Sequence, residues 1–201
     1  MFLIGVAGGT GSGKTFIAHK IAKIIGNAQV ISTDNYYKSN FFKSEAQRES
    51  FDFDNPKLID WKLLEKQLIT LKQGKAVNMP VYSFKLSHRL KKTIKVKPAK
   101  ALIIEGLFVL YHPKIRQILD LKIFVSAGGE MRLIRRIRRD IEDRGQKLDE
   151  VLDRYEKFIL RAHRKYVEPT KRYADFLIYN IENKKPDLTA IKKELRKLKL
   201  I

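Results

Sequence analysis

The sequence predicts an α/β fold in which a parallel sheet of about five strands is flanked by helices. Five short apolar runs are separated by longer segments with helical periodicity, and the runs are FLIGVA, QVIS, ALII, LKIFV and FLIY. Strands that alternate with helices indicate a parallel sheet that is covered on both faces. The chain has 201 residues and no internal repeat, so we expect one compact domain.

The chain opens with a strand, a glycine-rich stretch and a helix. Residues 2–7 form the first apolar run, and apolar side chains then recur at Ile17, Ile21 and Ile24. This is the spacing of one helical face. The second apolar run, residues 29–32, follows this helix and ends close to an aspartate. The predicted order is therefore strand, loop, helix, strand.

Residues 50–98, between the second and third strands, differ in character from the rest of the chain. We expect a helix over about 60–73, followed by two extended pieces at 76–84 and 91–98. These pieces are predicted to form a small β-hairpin at the sheet edge, with the HRLKK stretch near its turn. We interpret the segment as an insertion that builds a binding site within a single domain spanning 1–201.

The composition excludes several functional classes. Because the chain has no cysteine, it has no disulfide framework, thiolate zinc site or cysteine nucleophile. It has no run of about 18 apolar residues and no basic leader before its first apolar run, so we expect a soluble, cytoplasmic protein with no membrane partner. The net charge is +20, from 42 Lys and Arg against 22 Asp and Glu. This excess favours polyanions such as nucleoside triphosphates or nucleic acid.

The glycine-rich stretch GGTGSGKT matches the phosphate-binding pattern G-x-x-x-x-G-K-[ST] at every fixed position. Glycines let consecutive backbone N–H groups turn toward an anion, and the next helix adds the positive end of its dipole. Lys14 is expected to reach the outer phosphates, and Thr15 to offer its hydroxyl to Mg²⁺. The predicted nucleotide-binding residues are Gly8, Gly9, Thr10, Gly11, Ser12, Gly13, Lys14 and Thr15.

Two acidic residues follow predicted strands. Asp34 comes after VIST and Glu105 directly after ALII, and ligands of open α/β sheets bind at the carboxyl ends of the strands. Singly, each could be a capping or turn residue. Together with the phosphate-binding loop they favour metal binding and activation of an acceptor hydroxyl. The candidate Mg²⁺ ligands are Thr15, Asp34 and Glu105.

An arginine-rich helix is predicted within about 130–150. The run EMRLIRRIRRDIEDRG carries four arginines at i, i+3, i+4 and i+7 and an apolar stripe opposite them. We expect the apolar stripe to anchor the helix and the guanidinium groups to face outward as a lid over the phosphates. A solvated basic face and a nucleic-acid groove are alternatives. The arginines are Arg132, Arg135, Arg136 and Arg139, and the apolar residues are Leu133, Ile134, Ile137 and Ile141.

Taken along the chain, these motifs resemble the uridine kinase (uridine-cytidine kinase) family of P-loop nucleoside kinases. GGTGSGKT is followed by STDNYYK, FDFDNP, MPVYSF, LIIEG, the arginine helix and EPTKRYADFLI. The resemblance implies a P-loop NTPase-type sheet with an arginine lid and a small β-hairpin over the acceptor site. It also implies ATP or GTP as donor, Mg²⁺, and transfer of the γ-phosphate to the 5′-hydroxyl of uridine or cytidine in pyrimidine salvage.

The resemblance assigns roles to individual residues. It makes Asp34 the base that accepts the hydroxyl proton, and it makes Asp54 the acid that holds the ribose hydroxyls, as suits a carboxylate facing vicinal hydroxyls. The aromatic residues would form a wall against the base, with ordinary core packing as the alternative for Phe53 and Phe84. The expected catalytic residues are Asp34, Lys14, Arg139 and Arg144. The expected substrate-binding residues are Asp54, Phe53, Tyr82, Phe84, His88, Arg136 and Arg154.

Three stretches depart from the family pattern. Ser87-His88-Arg89 stands where relatives carry H-x-R, so Ser87 takes the place of the histidine that helps to read the pyrimidine. Arg154 stands where the family usually has glutamine, and an added cation favours an anionic acceptor. The loop at residues 179–183 replaces a glycine-containing loop on the donor side.

Three functions are therefore compatible with the sequence. The first is a pyrimidine nucleoside kinase, whose relatives are commonly homotetramers. The second keeps the same machinery but phosphorylates a different, anionic metabolite, as in phosphoribulokinase-like kinases. The third is a nucleic-acid-binding protein with ATP as a switch, which the charge of +20 motivates. The basic residues do not interleave with aromatics as in base-stacking surfaces, so nucleic acid is the least expected partner.

Overall fold

The computed structural model describes residues 1–39, 42, 47, 50–84, 86–181 and 184–201. The strands are β1 (Phe2–Gly8), β2 (Ala28–Ser32), β3 (Val77–Ser83), β4 (His88–Val96), β5 (Ala101–Gly106), β6 (Leu121–Ser126) and β7 (Phe176–Tyr179). Five of them form a parallel sheet in the order β2-β5-β1-β6-β7, and β3 pairs with β4 in a separate two-stranded sheet. The predicted α/β fold is confirmed.

Helices cover both faces of the parallel sheet. They are α1 (Lys14–Ile25), α2 (Trp61–Lys72), α3 (Pro113–Ile118), α4 (Gly129–Glu142), α5 (Leu148–Arg154), α6 (Leu160–Ala162) and α7 (Thr189–Lys197). Two π-helical stretches, Tyr155–Ile159 and His163–Val167, flank α6, so the helix that starts with α5 runs without a break to residue 167. Short 3₁₀ turns follow β2 at Thr33–Tyr36 and precede β7 at Glu168–Tyr173.

The core consists of two apolar layers separated by the sheet. Side chains of a strand alternate between the two faces, so Leu3 of β1 packs with α2 and α3 on one side while Ile4 packs with α1 and α7 on the other. Every residue of β5 is buried. A central strand that is covered on both faces can hold the residues at its carboxyl end in fixed positions. Glu105 is one of these residues in β5.

The predicted hairpin is present. The strands β3 and β4 pair antiparallel, with Tyr82 opposite Arg89 and Ser83 opposite His88. HRLKK forms the start of β4 and lies next to the turn, where it was predicted to lie. Ser87, directly before β4, has φ of 56°. A serine in this left-handed region ends the turn and lets β4 begin at once.

The arginine helix α4 has the opposite orientation from the predicted one. Arg132 and Arg136 are buried, whereas Ile134 and Ile141 are about 40% exposed. The expectation that the apolar stripe anchors this helix was wrong. The reason is the availability of polar partners, because Arg136 Nη1 donates a hydrogen bond to Thr10 Oγ1 at 3.1 Å.

In none of the described ranges does a helix have the length and apolarity to cross a bilayer.

Candidate functional site

The phosphate-binding loop is held between two segments that are distant in sequence. Gly11 and Gly13 have φ of 71° and 87°, values that glycine adopts without strain. A Cβ at Gly11 would collide with the backbone of Arg132, and one at Gly13 with the side-chain amide of Asn180. Asn180 Nδ2 also donates to the Ser12 carbonyl at 2.8 Å. The loop therefore requires glycine both for its backbone conformation and for close packing.

The acidic residues predicted at the strand ends lie beside this loop. Thr15 Oγ1 donates to Glu105 Oε2 at 3.2 Å, which is possible because β5 lies between β1 and β2. Burial raises the pKa of Glu105, the positive charge of Lys14 opposes that rise, and the negative charge of Asp34 adds to it. These groups therefore interact electrostatically at one edge of the sheet, as their positions after strands predict.

The donor set at this edge fits a magnesium ion. Carboxylate and hydroxyl oxygens are ligands that Mg²⁺ prefers, and Thr15, Asp34 and Glu105 supply both kinds. Within the part of the chain that the structure describes, no group of three or more His, Asp or Glu side chains converges as a self-sufficient metal site. An ion held here would therefore need nucleotide phosphates or water as further ligands, which is how Mg²⁺ is usually bound at phosphoryl-transfer sites.

Asp54, which was predicted to bind the acceptor, is a buried carboxylate with cationic neighbours. It is 8% exposed. Burial raises its pKa, whereas the guanidinium groups of Arg136 and Arg154 lower it. A small cavity lies between this carboxylate and the phosphate-binding loop. The cavity is lined by Thr10, Asp54, Leu107, Phe108, Ile159, Ala162, His163 and Val167.

The predicted aromatic residues fall into two separate groups. Tyr82 and Phe84 on the hairpin pack with Tyr37, and the three ring centroids are 5.1–5.7 Å apart. Phe53 packs with Phe51 at 5.0 Å. Only the first group belongs to the main core, and the Tyr37 hydroxyl connects the two groups by donating to the Phe53 carbonyl at 2.9 Å.

Arg154 lies against the second aromatic group. Its guanidinium carbon is 5.1 Å from the centroid of Phe53 and 5.7 Å from that of Phe158. Its Nη2 donates to the Phe51 carbonyl at 3.2 Å. Stacking on an aromatic face is favourable for guanidinium. The residue that departs from the family pattern is therefore in the acceptor region, beside Asp54.

Arg89 of the hairpin anchors the segment that carries Asp34. Its guanidinium group donates to the carbonyls of Tyr36 and Tyr37 at 2.9 Å and pairs with Asp60 at 3.2 Å. Its neighbour His88 has Nδ1 2.9 Å from the Leu86 carbonyl. Ser87 is buried. Arg89 therefore fixes the hairpin to the segment after β2, whereas His88 lies at the end of the hairpin as the first residue of β4.

Three arginines of the α4 segment meet at a single aspartate of the same helix. Asp140 is fully buried, and it pairs with Arg136, Arg139 and Arg144 at 2.9–3.2 Å. Arg144 also lies over Phe84, 5.2 Å from the ring centroid. Burial lowers the pKa of Arg144. The lid therefore contacts the hairpin as well as the phosphate-binding loop.

His163 is a site residue that the sequence reading missed. Its Nε2 is 3.3 Å from Glu168 Oε2, and its ring lines the cavity next to Asp54. A Cβ on Gly9 would lie 3.0 Å from this ring and 2.8 Å from Arg132 Nη1. Burial lowers the pKa of His163 to about 4. No local signal marks it, since AHRKYV is an ordinary polar helical stretch.

The structure thus brings the predicted metal, phosphate and lid residues to one edge of the sheet and sets the acceptor residues around it. Residues 179–183, predicted to lie on the donor side, are described only in part, because Glu182 and Asn183 lie outside the described residues. Asn180, in the part that is described, contacts the phosphate-binding loop.

Comparisons with known proteins agree with this arrangement. Residues 3–186 match the profile of the phosphoribulokinase / uridine kinase family. The chain is 40% identical over 179 residues to a uridine kinase of Lactobacillus helveticus, covering 88% of this chain and 85% of the relative. It is 42% identical over 178 residues to a uridine kinase of Brevibacillus brevis, covering 88% of this chain and 83% of the relative.

Two solved structures resemble the fold at lower identity. Phosphoribulokinase from Rhodobacter spheroides superposes with a TM-score of 0.66 at 20% identity, over 90% of this chain and 70% of the other. D-glycerate 3-kinase from Cryptococcus neoformans superposes with a TM-score of 0.61 at 16% identity, over 90% and 85%. At these identities the likeness concerns the fold alone.

Proposed function

Because the chain belongs to the phosphoribulokinase / uridine kinase family, we propose that this kinase transfers the γ-phosphoryl group of ATP to the 5′-hydroxyl of uridine or cytidine. The observation that carries the proposal is the contact of Thr15 with Glu105 beside Lys14 and Asp34, with the buried Asp54 on the acceptor side. The products, UMP and CMP, would serve pyrimidine salvage.

On the donor side, each residue has a task that follows from its chemistry. The loop Gly8–Thr15 would bind the phosphates through its backbone N–H groups and Lys14. Thr15 and Glu105 would hold Mg²⁺, which neutralises developing charge on the phosphates when bound. Arg139 and Arg144 would add positive charge from the lid. GTP is the alternative donor.

At the end of β2, Asp34 would accept the proton of the attacking hydroxyl. It follows β2 and interacts electrostatically with both Glu105 and Asp54, which supports a position between metal and acceptor. Asp54 would bind the ribose hydroxyls with help from Arg136. The hairpin aromatics Tyr82 and Phe84 would contact the base, because flat rings pack well against one another.

A second candidate function keeps this chemistry and changes the acceptor. Arg154 stacks on Phe53 beside Asp54, where a guanidinium group could pair with a phosphate or carboxylate of the substrate. The acceptor would then be an anionic small metabolite. Arg154 is the specific observation that favours this candidate.

Coupled ADP release with Mg²⁺ and ATP distinguishes the two candidates. The acceptor panel should hold uridine, cytidine, adenosine, guanosine and several sugar phosphates at equal concentration. We expect turnover with uridine and cytidine and none with the sugar phosphates. Turnover with an anionic acceptor alone would replace the first function by the second, and turnover with no member of the panel would refute both.

A further inference from the structure

Three arginines of the lid segment converge on a single buried carboxylate. Arg136 Nε is 3.0 Å from Asp140 Oδ2, Arg139 Nη2 is 2.9 Å from Oδ1, and Arg144 Nη1 is 3.2 Å from Oδ1. The Asp140 side chain is 0% exposed, whereas those of Arg139 and Arg144 are 36% and 34% exposed. The carboxylate is therefore on the inner side of the cluster with Arg136, whereas Arg139 and Arg144 are partly exposed to solvent.

The charges of this cluster do not balance. One carboxylate faces three guanidinium groups, which are always protonated, so a positive excess remains. Each guanidinium group has five N–H donors, and the pairs with Asp140 use only some of them. The remaining donors and the excess charge suit a polyanion with several oxygens, such as a phosphate chain.

The cluster lies next to the phosphate-binding loop. Arg136 Nη1 donates to Thr10 Oγ1 at 3.1 Å, and Arg144 lies over Phe84 of the hairpin. The negative charge of Asp34 acts on Arg144. Asp140 is fully buried and pairs with all three arginines, so it is placed to orient them rather than to touch a ligand.

We propose that Asp140 is a positioning residue that holds Arg136, Arg139 and Arg144 together beside the phosphate-binding loop, so that the remaining donors of Arg139 and Arg144 face the phosphoryl group during transfer. This inference rests on the proposed kinase function. In the free protein the carboxylate offsets repulsion among the arginines, and in turnover it keeps them oriented when the phosphate chain contributes its own negative charge.

Asp140→Asn tests the inference because it keeps the shape of the side chain and removes its charge. Without the charge the three arginines repel one another and lose alignment, so kcat should fall about 10- to 100-fold. The Kd for inorganic tripolyphosphate should not rise, because the same substitution removes a negative charge near the anion. A role confined to fold stability would not produce this split between kcat and Kd.

Two further variants serve as controls. Asp143→Asn removes the same charge from an exposed position three residues along the lid segment, and kcat and Kd should both stay within about twofold of the wild-type values, as expected for an exposed charge. Asp140→Glu restores the charge at a slightly different place, and it should recover part of the lost kcat. Thermal denaturation of each variant gives the fraction of folded protein at the assay temperature, and kcat is divided by this fraction.

The outcomes are decisive in either direction. A corrected kcat of Asp140→Asn within twofold of wild type would overturn the inference, as would a Kd for tripolyphosphate that rises in step with the loss of kcat. If no acceptor is turned over, the proposed function fails, but slow hydrolysis of MgATP by water then replaces transfer as the rate measurement. The same split is expected in that assay, and its absence would overturn the inference separately.

Discussion

The donor and acceptor sides of the site are built in different ways. The donor side lies at the ends of β1, β2 and β5, where buried strands fix Thr15 and Glu105 and the loop between Gly8 and Thr15 is clamped on both sides. The acceptor side is assembled from the hairpin, the Asp54 segment and the helix after the lid. Its strand β4 is largely exposed. Under the proposed function, the reaction type would depend on residues that the sheet holds, whereas the choice of acceptor would depend on separate peripheral elements.

The largest expected effect is on the donor side, where substitution should stop the chemistry without disturbing binding. Asp34→Asn should lower kcat by about 10²- to 10⁴-fold, the range for loss of a general base, while the Kd for MgATP stays nearly unchanged. Steady-state kinetics and calorimetry measure the two. Asp149→Asn, at an exposed position in α5, is the control. Undiminished turnover of Asp34→Asn would remove this residue from its proposed role.

On the acceptor side, substitution should act on substrate binding instead. Asp54→Ala should raise the KM for uridine about 10- to 100-fold, the cost of losing hydrogen bonds to a charged group, with little change in the KM for ATP. Initial rates with each substrate varied in turn give both values. A change confined to the KM for ATP would show that Asp54 serves the donor, and the contrast between the two sides would then fail.

A smaller effect is expected from the residue that departs from the family pattern. Arg154→Gln should leave kcat with uridine within about threefold, because a stacked arginine outside the reacting atoms adds little to transfer. Any residual rate with sugar phosphates should fall by about tenfold or more, since a charge-assisted pair is lost. The panel assay measures both. A severe loss of uridine turnover would instead place Arg154 in the nucleoside site.

The smallest expected effect concerns His163, which lies where the two sides meet. Its pKa is lowered to about 4 in the folded chain, against about 6.5 when unfolded, so the unfolded chain takes up more protons between these values. The free energy of unfolding should therefore fall as pH is lowered from about 6.5 toward 4. The decrease should be shallower in His163→Gln than in wild type.

Urea titrations at several pH values measure this dependence. His19→Gln is the matched control, because His19 is exposed on α1 and its replacement should leave the slope unchanged. Equal slopes for wild type and His163→Gln would show that this histidine is not held neutral in the fold. The comparison with wild type is needed because the raised pKa values of Glu105 and Asp54 make the free energy of unfolding rise, not fall, as pH is lowered.

The local elements were predictable from sequence, and the packing of the peripheral elements was not. The spacing and length of the apolar runs predicted the five strands and the helix α2. The glycine pattern predicted the loop that ends at Thr15. Each of these features depends on residues that are close in the chain. The orientation of α4 was not predictable by amphipathicity. Arg136 finds Thr10, 126 residues away, as a partner only after folding, and buried, paired guanidinium groups reverse the usual rule that the apolar face is inside.

Other misses have the same origin. His163 and Asn180 contact the phosphate-binding loop from segments more than a hundred residues away, and no spacing rule links them to it. The positive φ of Ser87 was not predicted either, because sequence patterns favour glycine or asparagine at such a place.

The π-helical stretches between Arg154 and Val167 make the length of this segment as consequential as its composition. A π-helical turn holds one residue more than an α-helical turn, and one residue corresponds to a rotation of about 100° in an α-helix. We expect a single-residue deletion within the first stretch, Tyr155–Ile159, to restore regular α-helix there and to rotate His163 about the helix axis relative to Arg154. The two side chains would then no longer face the same part of the molecule, although neither residue had been substituted.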